Sequence, residues 1–502
     1  MAVLTEEWRV TATIANWILS TAAIRSVESV YKDAAPTLMQ RAGHAAARLV
    51  EQFHLPPGPI LILAGPGNNG GDGLVLASEL RQRGREVVVA FLGDADRLPP
   101  DAAAAMAAWL QGDGALAREF KSDGWVLAVD ALFGIGLTRP LTGQVAEWVE
   151  RFNALKCRRL SLDIASGIDA DTGRALGCAV RATDTLSFIA WKPGLMTLDG
   201  PDHCGRLHLA TLDVTVDQHD GAGRLITRSN FETLLTPRPR NSHKGLYGDV
   251  GIVGGASGMV GAAWIAGRAA LALGAGRVFV GCLAADAPAL DPSAVELMMR
   301  RADEVPSLAS VLAVGPGLGQ HEPARALLKR CLAFAGPLVL DADALNLIGT
   351  DPDLETLLLA RPHDTLMTPH PAEAARLLQS TTAAIQADRV ATAKALARRY
   401  RAHVALKGCG TVVAHPDGAW AINTSGNPGM AVAGMGDALT GFAASLLAQQ
   451  WPAPMALEAA VHLHGAAADA LVANGVGPVG LRASEVIDAA RRIRNAWTSE
   501  SA

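Results

Sequence analysis

Cysteine is scarce and scattered. The six in this 502-residue chain, Cys157, Cys178, Cys204, Cys282, Cys331 and Cys409, never fall in CxxC or zinc-finger spacing. That excludes a disulfide scaffold or a structural zinc module and leads us to expect thiols kept reduced in a cytoplasmic setting. Charge is sparse as well: 19% of residues are charged against 50% hydrophobic, too apolar a balance for disorder. Yet no apolar run reaches the ~20 residues that cross a bilayer; the richest, Ala262 to Ala275, is broken by Gly and Arg. An excess of positive charge is also missing. With 44 Lys and Arg against 49 Asp and Glu, the net charge is -5, and neither nucleic acid nor an anionic membrane is an expected partner. Any anion must be held by local geometry. The opening stretch Met1 to Ser20 carries Glu6 and Glu7 before Arg9 and lacks an apolar run ending in a small-residue cleavage site, so it does not read as a secretion signal.

What is abundant is alternation. Short β-branched runs alternate with longer Ala, Leu and Arg patterns of helical period, the mark of an α/β chain, and the length suits two or three domains. In the first half we expect strands over Pro59 to Gly65, Glu86 to Leu92, Trp125 to Asp130, Arg159 to Asp163, Thr185 to Ala190 and Leu207 to Leu212. Helices are expected over Arg41 to Phe53 and Gly73 to Arg83. A polar, Gly- and Pro-bearing stretch from Gln218 to Asn241 interrupts the pattern, which places a boundary near residue 225 and defines domains over 20–225 and 226–502. The second half restarts with a strand over Asp249 to Val253 and an Ala-rich helix over Gly261 to Leu273. Strands follow over Arg277 to Val280, Val311 to Val314, Pro337 to Leu340, Thr365 to Met367 and Val404 to Leu406. Helices are expected over Asp388 to Arg401, Asp437 to Gln449, Ala453 to Val472 and Ser484 to Trp497.

Three features of the first half converge. The run Gly65-Pro-Gly-Asn-Asn-Gly-Gly-Asp-Gly73 links a strand to a helix, where glycines admit a close backbone approach and the helix start favours an anion. It is neither a dinucleotide GxGxxG nor a Walker loop, and a plain turn stays open. Asp130 and Asp163 each end a strand, so with the glycine run they share the carboxyl edge of a parallel sheet, where ligands bind. Asn69, Asp130 and Ser166 offer only oxygen, suited to a hard cation. Simple helix capping is the alternative for the two aspartates.

These residues, with Val129 to Gly136 and Asp163 to Gly173, resemble the NAD(P)H-hydrate epimerase domain over about residues 20 to 215. The resemblance implies a Rossmann-like three-layer domain. In it Asn68, Asn69, Gly70, Gly71 and Asp72, together with Gly134, Ile135, Gly136, Leu137, Thr138, Arg139 and Pro140, hold the hydrated nucleotide. Asp163 binds it as well and is the expected catalytic residue, while Asn69, Asp130 and Ser166 hold a potassium ion. The family usually has Pro at Ala165 and Glu at Gln40.

In the second half Asn427-Pro-Gly-Met-Ala-Val-Ala-Gly-Met-Gly-Asp437 runs into a strong helix, so backbone N–H groups near Gly434 face a phosphate. A carboxylate there suits a base that takes a proton from an attacking hydroxyl; a helix cap is the alternative. Gly254 to Gly258, Gly315 to Gly319, Thr368 to Glu373 and Lys407 to Thr411 each follow an apolar strand and gather at the same edge. With His243-Lys-Gly245 and Asp341-Ala-Asp-Ala-Leu-Asn346, this set resembles the ribokinase-like superfamily and, within it, the ADP-dependent NAD(P)H-hydrate dehydratases. The resemblance covers about residues 226 to 495 and implies a three-layer α/β/α domain. By it Lys407, Gly408, Cys409, Gly410, Thr411 and Gly436 contact the adenine nucleotide, and Ala262, Gly317, His370 and Asp437 contact the hydrate. The family often has Thr and Gly at Val432 and Ala433. His462 and His464 read as structural.

The resulting expectation is a bifunctional repair enzyme for hydrated NADH and NADPH, with ADP, Mg2+ and potassium as cofactors. An Ala-rich helical surface suits a homo-oligomer. An ATP-dependent kinase of a small hydroxylated metabolite fused to a ligand-binding domain is the main alternative, and a non-enzymatic scaffold role for the first half is another.

Overall fold

The structure is a computed structural model that describes residues 16–215 and 221–500. Most of the N-terminal stretch read for a secretion signal, and residues 216–220 of the polar break, lie outside the described residues. The chain divides into two compact units, parting between Arg224 and Leu225.

The first unit is built on a seven-stranded sheet. Across it run Leu116–Ala117, Val87–Phe91, Ile60–Ala64, Leu127–Ala131, Arg158–Leu162, Asp184–Phe188 and Arg206–Ala210, every neighbour parallel. The central strands Ile60–Ala64 and Leu127–Ala131 are buried throughout, as expected of strands covered on both faces. Helices Leu38–Gln52, Asn68–Gln82 and Pro100–Gln111 pack on the face that carries Ile60, Ile62, Val129 and Ala131. Pleat alternation sends Asp130 to the other face, in register with Ser161.

One expectation needs correcting. The helix after the first strand begins at Asn68, not Gly73, so Gly70, Gly71 and Gly73 lie in its first two turns and only Gly65 to Gly67 run ahead of it. Glycine has poor helix propensity, but here packing decides. A Cβ on Gly70 would sit 2.0 Å from the Gly65 carbonyl oxygen, and one on Gly65 would sit 1.9 Å from that of Leu132.

In the second unit nine strands follow one another across the sheet: Trp420–Asn423, Thr411–Ala414, His403–Leu406, Thr365–Met367, Leu338–Leu340, Val311–Val314, Asp249–Gly254, Arg277–Cys282 and Met298–Arg301. The pairs from His403–Leu406 to Met298–Arg301 are parallel, while Thr411–Ala414 and Trp420–Asn423 form an antiparallel hairpin that the sequence reading did not anticipate. Helices Val260–Ala272, Met435–Ala448, Ala453–Ala473 and Ala483–Glu500 share one apolar core with strand residues such as Val250, Ile252 and Val339. Close backbone contacts recur at the carboxyl edge: a Cβ on Gly254 would lie 2.1 Å from the Pro316 oxygen, and one on Gly315 would lie 1.8 Å from that of Asp341. Among the described residues no helix is long and apolar enough to cross a membrane.

Candidate functional sites

At the carboxyl edge of the first sheet, the helix start is capped by Gly67, whose extended backbone offers no side-chain partner to the leading N–H groups. Beside them Asn69 is buried to 8% exposure, and neither its Oδ1 nor its Nδ2 has a hydrogen-bond partner. A native fold seldom leaves both ends of a buried amide unpaired.

Asp130 is fully buried, and its four lone-pair positions are all taken. Oδ1 accepts from Leu132 N–H at 3.2 Å and Ser166 Oγ at 2.6 Å; Oδ2 accepts from Ser161 Oγ at 2.8 Å and Ser166 N–H at 2.9 Å. Burial raises its carboxyl and these donors pull it back.

Asp163 stands just past its strand in the left-handed region, at φ 68°, a conformation that costs a non-glycine residue on the order of 1 kcal/mol. Its oxygens hold it there: Oδ2 accepts Ile135 N–H at 3.0 Å, and Oδ1 is paired with the ammonium of Lys192, which is fully buried. Gly134 makes this approach possible, because a Cβ there would lie 2.6 Å from Asp163 Oδ2. Asp72, on the helix start, is pushed well above the usual carboxylate range by burial and then by the charges of Asp163 and Glu28.

In the second unit Lys407 is the hub. Its Nζ donates to Asp341 Oδ1 at 2.7 Å and stands 4.0 Å from Glu373 Oε2. Burial opposes its charge, yet Asp341 and Glu373 hold its ammonium above the usual lysine value. Asp341 Oδ2 also accepts from Thr440 Oγ1 at 2.9 Å. Gly436 closes this group, since a Cβ there would lie 3.3 Å from Lys407 Nζ and 3.4 Å from Asp341 Oδ2. Asp437 sits in the first turn of Met435–Ala448, but the cap position is Gly434, and among the described hydrogen bonds the Asp437 carboxylate accepts none. Capping therefore does not explain it. Burial and the Asp341 charge push its carboxyl up to about 7, against the pull of Lys407. Burial likewise takes Glu373 up to about 7.

Other expected residues are placed as follows. Gly317 meets Ala262, where a Cβ would come within 3.2 Å of the alanine methyl. Gly408, Cys409 and Gly410 form the turn into Thr411, held from below by Arg389, whose guanidinium donates to the Leu406 and Gly410 carbonyls at 3.0 and 3.4 Å. His370 caps the seven-residue helix Pro371–Leu377: Nδ1 accepts from the Ala372 and Glu373 N–H groups at 3.0 and 3.3 Å, and Nε2 faces Glu373 Oε1 at 3.1 Å. Its ring nitrogens are thus engaged within the fold. Gln40, in place of the family's Glu, completes a capping box with Thr37. Ala165 is buried and keeps its turn, its carbonyl accepting Ile168 N–H at 3.0 Å. Val432 is 43% exposed and offers no hydroxyl. His464 is buried with Nε2 unpartnered.

Sequence reasoning missed Lys192, Asp341, Glu373, Arg389 and Thr440. Asp341 and Glu373 lie within motifs already singled out. Lys192 carried one faint signal, a lone charge between the apolar runs Leu186 to Trp191 and Pro193 to Met196.

Two α/β units, each with a glycine-walled, carboxylate-lined crevice answered by one lysine, define a fusion of two enzyme domains. Residues 35–194 match the family described as YjeF-related protein N-terminus, and residues 250–492 match NAD(P)H-hydrate dehydratase. The bifunctional NAD(P)H-hydrate repair enzyme of Escherichia coli K12 is 39% identical over 469 residues, which cover 91% of this chain and 89% of that protein. The enzyme of the same name from Moorella thermoacetica is 38% identical over 487 residues, 89% of this chain and 90% of that one. The crystal structure of the ADP/ATP-dependent NAD(P)H-hydrate dehydratase from Bacillus subtilis, co-crystallized with ATP/Mg2+, is 30% identical and covers 54% of this chain and 98% of that one, with a TM-score of 0.48. The chain belongs to the family of bifunctional NAD(P)H-hydrate repair enzymes.

Proposed function

We propose that the first unit interconverts the two epimers of hydrated NADH and NADPH, and that the second dehydrates the S epimer with ADP, giving AMP and phosphate. The observation that carries this reading is the Asp437 carboxylate: half-buried at a helix start, accepting no hydrogen bond among the described residues and pushed up to about 7, it suits a base and not a cap.

Hydration of the reduced nicotinamide ring leaves a hydroxyl on the carbon next to the ring nitrogen. In the second unit that hydroxyl oxygen attacks the terminal phosphorus of ADP while Asp437 takes its proton, and AMP departs. The ring nitrogen then expels phosphate, and loss of a proton from the neighbouring carbon restores the conjugated ring. Lys407 and the N–H groups at Gly436 hold the phosphates. Three carboxylates, Asp341, Glu373 and Asp437, surround the single Lys407 charge. This negative surplus fits Mg2+ entering with the nucleotide on the Glu373 side, where it would neutralise phosphate charge and leave Asp437 free as the base.

In the first unit Asn68 to Asp72 and the loop from Gly134 to Pro140 embrace the nucleotide, and Asp163 faces the hydrated ring. A potassium ion fits Asn69 Oδ1, which lacks a partner. The Ser166 hydroxyl has a second acceptor in the Phe133 carbonyl at 3.0 Å, so its rotation frees Asp130 Oδ1 for the ion. Bound there, potassium would supply a fixed positive charge near the nucleotide.

Mixing the protein with NADH hydrate and ADP should restore absorbance at the reduced-nicotinamide band with one phosphate released per ring. A stable phosphorylated product without free phosphate would favour the kinase alternative. Gly134→Ala tests the first crevice. The methyl displaces the Asp163 carboxylate, so epimer interconversion should fall about 10²-fold, the usual penalty for misplacing a reacting group by about 1 Å, while dehydration of pure S epimer is unchanged.

A further inference from the structure

Lys192 is the buried cation of the first unit that the reading above does not use. It follows the strand Asp184–Phe188 and is fully buried. Its Nζ meets three oxygens: Asp163 Oδ1, Ser187 Oγ at 2.9 Å and the Phe188 carbonyl at 3.1 Å. A carbonyl can only accept. The Ser187 hydroxyl spends its own proton on the Ala190 carbonyl at 2.8 Å, so toward Lys192 it also accepts. Asp163, as a carboxylate, completes the set. Three acceptors with no donor among them need three N–H bonds, which only the ammonium form of lysine provides.

Asp163 in turn has each oxygen committed to a donor, Lys192 on one side and Ile135 N–H on the other. One of those donors is a buried ammonium, whose fixed charge answers the carboxylate and not the neutral acid. Among the described residues the crevice also holds Asp72 on the helix Asn68–Gln82 and Glu28 on the helix Thr21–Val30, both raised by burial and by Asp163 itself, with Arg25 acting on Glu28 and Asp101 on Asp72.

We propose that Lys192 is a positioning residue that locks Asp163 as a permanent anion against the hydrated ring, so that Asp163 stabilises a cationic intermediate and does not shuttle the proton. The proposal rests on the epimerase reading of this crevice. The step it supports is balanced. The bond from the ring carbon to the hydroxyl breaks, the hydroxyl leaves as water with a proton from the Asp72 carboxyl, and the nitrogen lone pair forms the carbon–nitrogen double bond of a planar iminium. Water then adds to the opposite face and returns a proton to Asp72. The positive charge develops beside an anion held in place by a buried ammonium, which is where fixed electrostatics help most.

The test is the pH dependence of epimer interconversion in the full chain, followed chromatographically from pH 6 to 9, with dehydration of pure S epimer as an internal control. The wild type must interconvert the epimers; if it does not, the epimerase reading itself fails. In Lys192→Met, Asp163 loses its counter-charge and becomes able to take a proton. Its rate should therefore show a new acid limb, falling about tenfold further at pH 6 than at pH 9 relative to wild type, with the loss in kcat and not in KM. Lys192→Arg, which keeps the charge, should restore the wild-type profile at reduced rate. A folded Lys192→Met whose profile parallels the wild type overturns the proposal. If Lys192→Met does not fold, the double variant Lys192→Met, Asp163→Asn decides. Folding recovered only when both charges are removed shows that the ammonium answers Asp163, and failure of both shows that it does not.

Discussion

Asp437→Asn is expected to slow single-turnover phosphate release by about 10²- to 10⁴-fold, the usual worth of a positioned general base, while leaving the fold intact. Asparagine is nearly isosteric, and the residue it replaces makes no capping bond. In the wild type the same measurement should rise with pH and level off above about 7, because the base works only when deprotonated and its carboxyl is held there. Stability should move the other way. Unfolded, this carboxyl ionises near 3.8, so above that pH the native state bears the cost of a buried charge, in full once pH exceeds about 7. Removing the charge should therefore raise the melting temperature of the second unit at pH 8. Allowing for partial exposure, the gain is about 1–3 kcal/mol, shrinking to little near pH 4. Near-normal phosphate release in the variant would return Asp437 to a structural role.

The second large effect is expected at Lys407. Lys407→Met preserves the stem but strands Asp341, which is 1% exposed and left with the Thr440 hydroxyl as its side-chain partner. Breaking a buried pair from one side costs about 3–5 kcal/mol, because the remaining charge is uncompensated. Adding Asp341→Asn should recover most of that loss in thermal melting. It should not recover ADP binding by titration calorimetry, since the cation facing the phosphates is still gone. Equal losses of stability in single and double variants would mean that Lys407 does not answer the Asp341 charge.

The parallel strands were legible from local chemistry. Ile60–Ala64 and Val311–Val314 are short apolar runs closed by Gly, and no distant residue is needed to read them. The place of Asp437 was legible for a related reason: Gly434-Met-Gly436 runs directly into a strong apolar helical pattern, and the helix does start there, at Met435. The early start of the helix at Asn68 was not legible, because its glycines are chosen by the carbonyls they press against and such contacts leave no periodicity. The hairpin Thr411–Ala414 with Trp420–Asn423 was masked by its position after a run of parallel strands. Lys192 and Arg389 were hidden more deeply. Each is buried by partners well away in the chain, Asp163 for one and the Leu406 carbonyl for the other, and a charged residue next to an apolar segment reads as solvated until the partner is known.

The glycines at the carboxyl edges carry a consequence for anyone mapping these crevices by mutation. At Gly65, Gly254 and Gly315 the neighbouring carbonyl leaves room for a hydrogen atom and nothing larger. A saturation scan scored by activity would therefore show a ring of positions as intolerant as Asp163 or Asp437, although their role is to hold the walls together. Scored by abundance instead, the ring should fail and Asp437, which answers no buried partner, should pass. The two readouts together would separate the masonry of each crevice from its chemistry, a distinction that an activity scan alone erases.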